Sequence, residues 1–357
     1  FFLYGVALLY GVSGSTSMST IALAIGRGQE GPGLALLGVG FLLVGFGFKV
    51  AAAPFHMWAP DVYEGAPTTV TALMSAGVKA AAFAAFLRVF LQAVPALAGE
   101  WQPAVAVLAI VTMVIGNLGA LAQTNVKRML AYSSVAHAGY LLTAVAAAPG
   151  KGTEAVLFYL VGYAAVNLGG FGVLSSLARD DREPLSLGDL AGLSERRPLL
   201  AAALSIFLVS LTGIPVTAGF VGKFQLFNAA VGAGYVNLAI IGMLMSVVSA
   251  YYYLRVVVAM YMRDPQGEDT WAPIGAGSAT ALTVAVAIVL VLGVYAAAAL
   301  TVRFLLPIIL RYTTPLRLVS VAMIGAAAVF IVLPWTHDVA LLMAASLFCI
   351  VFFSSLN

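Results

Sequence analysis

The stretch FKVAAAPFHMWAPDVYEGAP, residues 48–67, interrupts a long apolar run with Lys49 and three prolines. Proline lacks the backbone N–H that a helix interior needs, so the helix is predicted to break here. The stretch LTGIPVTAGFVGKF, residues 211–224, shows the same combination of proline, glycine and a following lysine, Lys223, in a second apolar run. Paired interrupted helices are typical of ion paths in transporters. The sequence therefore predicts two discontinuous helices, and the interval between the two lysines fits a repeat of five helices.

The composition places both interruptions in a membrane protein. Hydrophobic residues make up 62% of the 357 residues and charged residues 9%, whereas soluble domains are about a quarter charged. Runs long enough to cross a bilayer recur without the alternation of a β-barrel. We predict an all-α polytopic membrane protein that contacts the lipid bilayer. The apolar segments lie near 1–12, 33–53, 68–93, 102–123, 127–148, 154–178, 198–229, 235–262, 276–300, 316–334 and 338–355.

The basic residues of the loops indicate an orientation. Loops after the fourth, sixth and eighth segments hold Lys127, Arg128, Arg179, Arg182, Arg196, Arg197 and Arg263, whereas loops on the other side hold only Arg27 and Lys151. The positive-inside rule predicts that the first group is cytoplasmic. The polar stretch 179–197 mixes both charges, which is typical of a solvated connection or a short interfacial helix.

Three lysines are the strongest candidates for chemistry. Lys49, Lys79 and Lys223 lie within apolar runs, where an ionisable side chain is costly and is by default a functional hypothesis. A desolvated lysine can release its proton, whereas an arginine stays protonated. Arg88 and Arg255 lie nearer the ends of their segments, where the long stem can carry the charge to the interface.

His137 lies in the polar stretch AYSSVAHAGY, residues 131–140, with Tyr132, Ser133, Ser134 and Tyr140. Imidazole and hydroxyl groups can relay protons through a chain of water molecules. A packing role fits a lone histidine in a helix bundle equally well. His56, Asp61 and Glu64 follow Lys49, and either a turn role or pairing with other groups explains them.

Several classes of site are excluded by the sequence. Cys349 is the only cysteine, so an intramolecular disulfide and a multi-cysteine metal site are excluded. Phosphate-binding glycine motifs of the P-loop and dinucleotide types are absent. We expect no redox cofactor in this chain and no nucleic-acid partner.

Four strings resemble the subunit N family of proton-pumping NADH–quinone oxidoreductases, respiratory complex I. They lie at 46–90, 117–142, 211–224 and 249–258, and the resemblance extends over residues 1–300. It implies an antiporter-like bundle in the bacterial inner (cell) membrane, with other complex I membrane subunits as partners. It also implies that the whole enzyme uses NADH and quinone as it translocates protons, while this subunit carries out no redox chemistry.

The resemblance also implies roles for individual residues. Lys49 matches the family's central protonatable lysine, and Lys79 matches the lysine that links the two half-channels. Lys223 matches the lysine on the route to the opposite side, and His137 matches a histidine of the same path.

The chain departs from the family at both ends. It begins at Phe1 within an apolar run, so we expect an N-terminal truncation, with the glutamate that modulates the central lysine upstream. Residues 1–97 are predicted to end a first helical repeat, 98–262 to form a second five-helix repeat and 263–300 a C-terminal family helix. Residues 301–357 resemble a helix pair of major-facilitator symporters, and a fusion, a frameshifted or misassembled sequence and a divergent tail all explain them.

Two other functions fit the sequence. One is a free-standing cation/proton antiporter, which would exchange ions without partner subunits. The other is a passive scaffold in which the lysines pair structurally, and the lack of Asp or Glu in the middle of any apolar segment speaks against it.

Overall fold

The helices begin and end where glycine, proline and polar residues interrupt the apolar runs. The computed structural model describes residues 1–27, 32–178, 186–265 and 274–312. Within these ranges the chain forms helices and turns, together with one isolated antiparallel bridge between Asn125 and Ser186. The predicted all-α fold is confirmed.

Fourteen α-helices are numbered in chain order over the described ranges. They are α1 (Phe2–Ser13), α2 (Met18–Gly26), α3 (Pro32–Val50), α4 (Trp58–Gly65), α5 (Thr68–Leu73), α6 (Lys79–Gln92), α7 (Ala98–Leu121), α8 (Val126–Ala146), α9 (Lys151–Ser176), α10 (Leu193–Arg196), α11 (Pro198–Thr212), α12 (Ala218–Gly232), α13 (Val236–Met262) and α14 (Ala276–Tyr312). A π turn, Met74–Val78, joins α5 to α6, and a 3-10 turn, Pro95–Leu97, precedes α7.

Seven spans in the described residues are long and apolar enough to cross a membrane, or eight if α1 and α2 form one bent span. The angle between α1 and α2 is 61°. The short first segment is confirmed as α1, whereas α2 was not predicted, because the Ser- and Thr-rich residues 13–20 dilute its apolar signal.

The first predicted break lies between α3 and α4. Helix α3 ends at Val50, and Ala51 adopts a left-handed φ of 61° that turns the chain. The backbone N–H of Ala53 then donates to Thr112 Oγ1 of α7 at 2.9 Å. A buried donor that the helix leaves unpaired is therefore satisfied by a neighbouring span, as a membrane interior requires.

The second predicted break separates α11 from α12, so the apolar segment 198–229 is two helices. Gly213 ends α11 with a φ of 87°, which favours glycine, and Val216 has a φ of 74°. Thr217 restarts the helix because its side chain accepts a hydrogen bond from the backbone N–H of Phe220. Both predicted discontinuous helices are confirmed.

Helix α8 is the centre of the bundle. In its most apolar stretch of 18 residues, 94% of the residues are buried within the chain, compared with 28% in the same stretch of α13. Glycines let α7 approach it closely: a Cβ at Gly116 would lie 2.5 Å from the backbone nitrogen of Ala136. The polar residues of α8 therefore face protein on almost every side.

Some predictions fall outside the described residues. Helix α14 continues past residue 300, to Tyr312, and the apolar segments at 316–334 and 338–355 lie outside the described part. Arg179 and Arg182 lie outside it too. The repeat boundaries at residues 97, 262 and 300 and the orientation remain predictions.

Candidate functional site

Lys79 is buried at the start of α6, directly after the π turn, with 3% of its surface exposed. Its Nζ donates to the backbone oxygen of Ser134 at 2.5 Å and to Ser134 Oγ at 2.6 Å. The ammonium also lies 5.6 Å from the centre of the Tyr163 ring. Neutral acceptors and a π face therefore solvate Lys79.

Ser134 is a branch point in this site. The hydroxyl of Tyr163, on α9, donates to Ser134 Oγ at 2.9 Å. The side chain of Tyr63, on α4, also hydrogen-bonds Ser134. Burial raises the pKa of Tyr63 to about 12, and that hydrogen bond opposes the rise. One serine thus joins side chains from α4, α6 and α9.

His137 lies one turn further along α8 and is 1% exposed. Its Nδ1 is hydrogen-bonded to the hydroxyl of Tyr159, and its Nε2 lies 3.0 Å from the hydroxyl of Tyr253. Tyr253 is in turn bonded to Ser133 Oγ. Both ring nitrogens therefore have hydroxyl partners that can donate or accept, so the structure admits either tautomer.

Tyr163 brings the Lys79 and His137 clusters together. Its hydroxyl reaches Ser134, while its ring centre lies 5.4 Å from that of His137. The interpretation of His137 as part of a polar cluster therefore has geometric support, and its role in proton movement remains a prediction.

Lys223 is buried in α12 beside the second break, with 4% of its surface exposed. Its Nζ donates to the backbone oxygen of Thr212 at 3.0 Å and to Ser246 Oγ at 2.7 Å. It also lies 4.8 Å from the ring centre of Tyr140. The carbonyl left free by the end of α11 thus becomes a ligand for the ammonium, as expected beside a broken helix.

Tyr140 is held in place by two neighbours. Asn117 Nδ2 donates to the Tyr140 hydroxyl at 3.2 Å, and Asn117 Oδ1 accepts from the Tyr252 hydroxyl at 3.1 Å. The rings of Tyr140 and His137 meet edge to face with their centres 5.4 Å apart. Tyr140 therefore lies between His137 and Lys223.

The expectation that Lys49 is buried is wrong for this structure. Its side chain is exposed in the last turn of α3. Helix α3 packs on its neighbours through Leu42, Phe46 and Val50, and Lys49 lies beside that stripe. The structure brings together Lys79, His137 and Lys223, and it leaves Lys49 outside their cluster.

The two arginines differ. Arg88 is exposed and donates a hydrogen bond to Gln92 of its own helix, which agrees with the interfacial interpretation. Arg255 donates from Nη2 to the backbone oxygen of Gln123, at the end of α7, and its Nε is buried without a partner. In the described spans, carboxylates occur only in first turns, at Glu100 and Glu154.

The tyrosines, the serine and the amide that complete the site were not predicted from the sequence. The missed residues are Asn117, Tyr159, Tyr163, Ser246, Tyr252 and Tyr253. Two signals were available: the four-residue spacing of Tyr159 and Tyr163, and the run of three tyrosines at 251–253 within an apolar segment. The described residues contain no group of His, Cys, Asp or Glu that could hold a metal ion.

Comparisons with known proteins identify the family and the fold that the chain resembles. A family described as "NADH:quinone oxidoreductase/Mrp antiporter, TM" matches residues 1–249. The chain is 50% identical over 295 residues to "NADH-quinone oxidoreductase subunit N" of Trichlorobacter lovleyi, covering 82% of this chain and 61% of that protein. It is 46% identical over 296 residues to "NADH-quinone oxidoreductase subunit N 1" of Solibacter usitatus, covering 83% of this chain and 61% of that one.

Solved structures resemble the fold as well. A chain of respiratory complex I from Thermus thermophilus with bound aureothin superposes with a TM-score of 0.70 at 43% identity, covering 82% of this chain and 62% of that one. A chain of the Mrp complex from Dietzia sp. DQ12-45-1b does so with a TM-score of 0.73 at 25% identity, with the same coverage. The chain spans about three fifths of the length of these relatives. Its apolar helices and bacterial relatives make it a multi-pass protein of the bacterial inner membrane.

Proposed function

The chain belongs to the NADH:quinone oxidoreductase/Mrp antiporter family, and we propose that it forms the proton-conducting part of a subunit N. In this proposal the whole complex oxidises NADH and reduces quinone in other subunits. This chain lies among the other membrane subunits and moves protons across the bilayer. No step of the redox chemistry is assigned to its residues.

One observation carries the proposal: Lys79 and Lys223 are both buried in the bundle and are bound only by neutral groups. Their partners among the described residues are carbonyls, hydroxyls and tyrosine rings, with no carboxylate in contact. Ionisable residues within spans pair with one another or with backbone carbonyls and are by default candidates for function. An ammonium held only by neutral ligands can lose its proton without leaving an unpaired buried carboxylate.

Between Lys79 and His137 the side chains form a relay. A hydroxyl can donate one hydrogen bond while it accepts another, so Ser134 can take a proton from Lys79 and pass its own to Tyr163 once the Tyr163 hydroxyl, which donates to Ser134 in the structure, has rotated to accept. The Tyr163 ring only packs against His137, and no hydrogen bond joins the Tyr163 hydroxyl to the imidazole among the described groups, so we propose that water bridges this step to the hydroxyls of Tyr159 and Tyr253 that contact His137.

From His137 to Lys223 no direct hydrogen bond joins the described groups, and we propose that water completes the route past Tyr140. Because neutral imidazole is both a donor and an acceptor, His137 can exchange protons with the hydroxyls of Tyr159 and Tyr253, and in this proposal water links those hydroxyls to the rest of the route. In this scheme Lys49 retains the role that the family resemblance implies, as the central protonatable lysine, although its side chain is exposed in this structure.

The test is substitution in the intact complex. We expect Lys79→Met and Lys223→Met each to abolish most NADH-driven proton uptake by membrane vesicles, with quinone reduction lowered in parallel. Lys151→Met is the matched control, because Lys151 is exposed at the start of α9. Normal proton uptake in fully assembled Lys79→Met and Lys223→Met complexes would refute the proposal.

A free-standing cation/proton antiporter is the second candidate, and the likeness to the Mrp complex favours it. The two functions differ in their need for partners. The purified chain would be reconstituted into vesicles with a sodium gradient. Sodium/proton exchange by the chain alone supports the antiporter, whereas exchange that needs partner subunits supports the complex.

A further inference from the structure

A group of charged residues joins α4 to the start of α8, where it contacts neither Lys79 nor Lys223. Arg128 Nη1 lies 2.8 Å from Asp61 Oδ1 and 2.6 Å from Glu64 Oε2. The side chain of Asp61 is 71% exposed, that of Glu64 34% and that of Arg128 30%. We call Asp61, Glu64 and Arg128 the ion cluster.

Neutral contacts strengthen the same junction. Asn125 Nδ2 donates to Glu64 Oε1 at 2.9 Å, while Asn125 Oδ1 caps α8 by accepting from the backbone N–H of Arg128. Lys127 Nζ donates to the backbone oxygen of Ala66 at 2.5 Å. The first turn of α8 therefore holds α4 through several hydrogen bonds, and Lys127 is a buried helical residue rather than a loop residue.

Helix α4 transmits this attachment to the helix that leads to Lys79. Thr71 Oγ1, on α5, donates to the backbone oxygen of Tyr63, on α4, at 2.9 Å. Helix α5 continues through the π turn directly into Lys79. Lys79 then returns to α8 at Ser134. These contacts therefore link Arg128 of α8, through α4, α5 and the π turn, to Lys79, which bonds Ser134 of the same helix α8.

We propose that Glu64 and Arg128 are positioning residues of the proton path, which hold α4 and α5 on α8 so that Lys79 reaches Ser134. This inference rests on the proposed function of Lys79. Glu64 and Arg128 touch neither the proton nor Lys79, and they act through Thr71 and the π turn.

The π turn explains why such a tie is needed. A π turn has i→i+5 hydrogen bonds, occurs mostly as a single turn within an α-helix and is frequent at functional sites. Residues Met74–Val78 can return to regular α geometry only if Lys79 rotates and slides relative to α8. The ion cluster opposes that movement from the other end of α5. Because the cluster is partly exposed, its contribution is small enough to be reversible and is weakened by salt.

The test uses Glu64→Gln in the intact complex. Glu154→Gln is the matched control, because Glu154 is an exposed carboxylate in the first turn of α9 that forms no ion pair with the described residues. We expect Glu64→Gln to raise the rate of backbone amide exchange over Thr68–Gln92 about two- to fivefold, the range for a partly exposed ion pair. Protons moved per NADH oxidised should fall by a similar factor.

Two further variants show whether the effect follows the proposed route. Thr71→Val leaves all charges in place and should reproduce both effects, and combining it with Glu64→Gln should add little. Glu64→Asp keeps the negative charge beside Arg128 and should retain more of both readouts than Glu64→Gln. If Glu64→Gln prevents assembly of the complex, Thr71→Val alone tests whether α4 and α5 position Lys79.

The inference is overturned if Glu64→Gln and Thr71→Val both show the same rate of amide exchange over Thr68–Gln92 and the same number of protons moved per NADH as Glu154→Gln. It is also overturned if their effects on coupling add independently. Either result leaves the proposed function intact as long as Lys79→Met abolishes proton uptake. Normal uptake by Lys79→Met refutes the proposed function itself, whatever the amide exchange shows.

Discussion

Gly219→Ala is the most demanding single test of the second break. Gly219 lies in the first turn of α12, where its backbone N–H donates to Ser210 Oγ of α11 at 3.1 Å. A Cβ added here would lie 1.8 Å from the backbone oxygen of Ser210. Real Cβ contacts almost never fall below 3.0 Å, so the two helices must separate locally by about 1.2 Å.

Lys223 is one helical turn beyond Gly219 and would move with it. A separation of this size takes the 3.0 Å hydrogen bond from Lys223 to the Thr212 oxygen beyond bonding distance. A hydrogen bond to a charged group contributes about 1.5–3 kcal/mol. Its loss corresponds to a roughly 10- to 150-fold smaller population of the bound lysine.

Two quantities are measured for each variant: the proton uptake per NADH oxidised, and the thermal stability of the purified complex. We expect Gly219→Ala to lose most coupling and to be destabilised by about 1–3 kcal/mol through overpacking. Gly232→Ala is the control on the same helix, since a Cβ there meets nothing within 4 Å. If Gly219→Ala matched Gly232→Ala in coupling and stability, the close approach of α11 and α12 would be refuted.

Two further substitutions probe the ligands of the buried lysines. Tyr140→Phe keeps the ring beside Lys223 and should retain most proton uptake. Tyr140→Leu removes the ring and should lower uptake about 30-fold, because a desolvated cation–π contact contributes about 2 kcal/mol. Equal uptake by the two variants would contradict this expectation. Ser134→Ala removes a buried acceptor and leaves the Tyr163 hydroxyl without it, so uptake should fall about tenfold relative to Ser205→Ala, whose hydroxyl bonds only within its own helix.

The sequence alone predicted the helices and their breaks because these depend on local chemistry. Proline and glycine disrupt helices wherever they occur, so both interruptions were visible before any contact was known. Apolar run length likewise predicted the spans between 33–53 and 276–300, except that the segment 198–229 is two helices. Helices α2 and α4 were not predicted, since neither has a long apolar run.

Long-range contacts decided which polar residues form the site. Ser133 meets Tyr253 although they are 120 positions apart in the chain, and Asn117 meets Tyr252 across 135 positions. No periodicity within one helix specifies such a pair. The ion cluster is another example, because Glu64 and Arg128 meet only where α4 docks on α8.

The three candidate lysines illustrate the difference between what local sequence and what long-range packing determine. The sequence by itself determined that Lys49, Lys79 and Lys223 fall in apolar runs, beside a break or within a span. Only the tertiary structure decided that Lys79 and Lys223 are buried and Lys49 exposed, because burial depends on which face of a helix its neighbours cover. Packing against α8 and α13 supplies the hydroxyls that the two buried ammonium groups need, and the exposed face of α3 supplies none to Lys49.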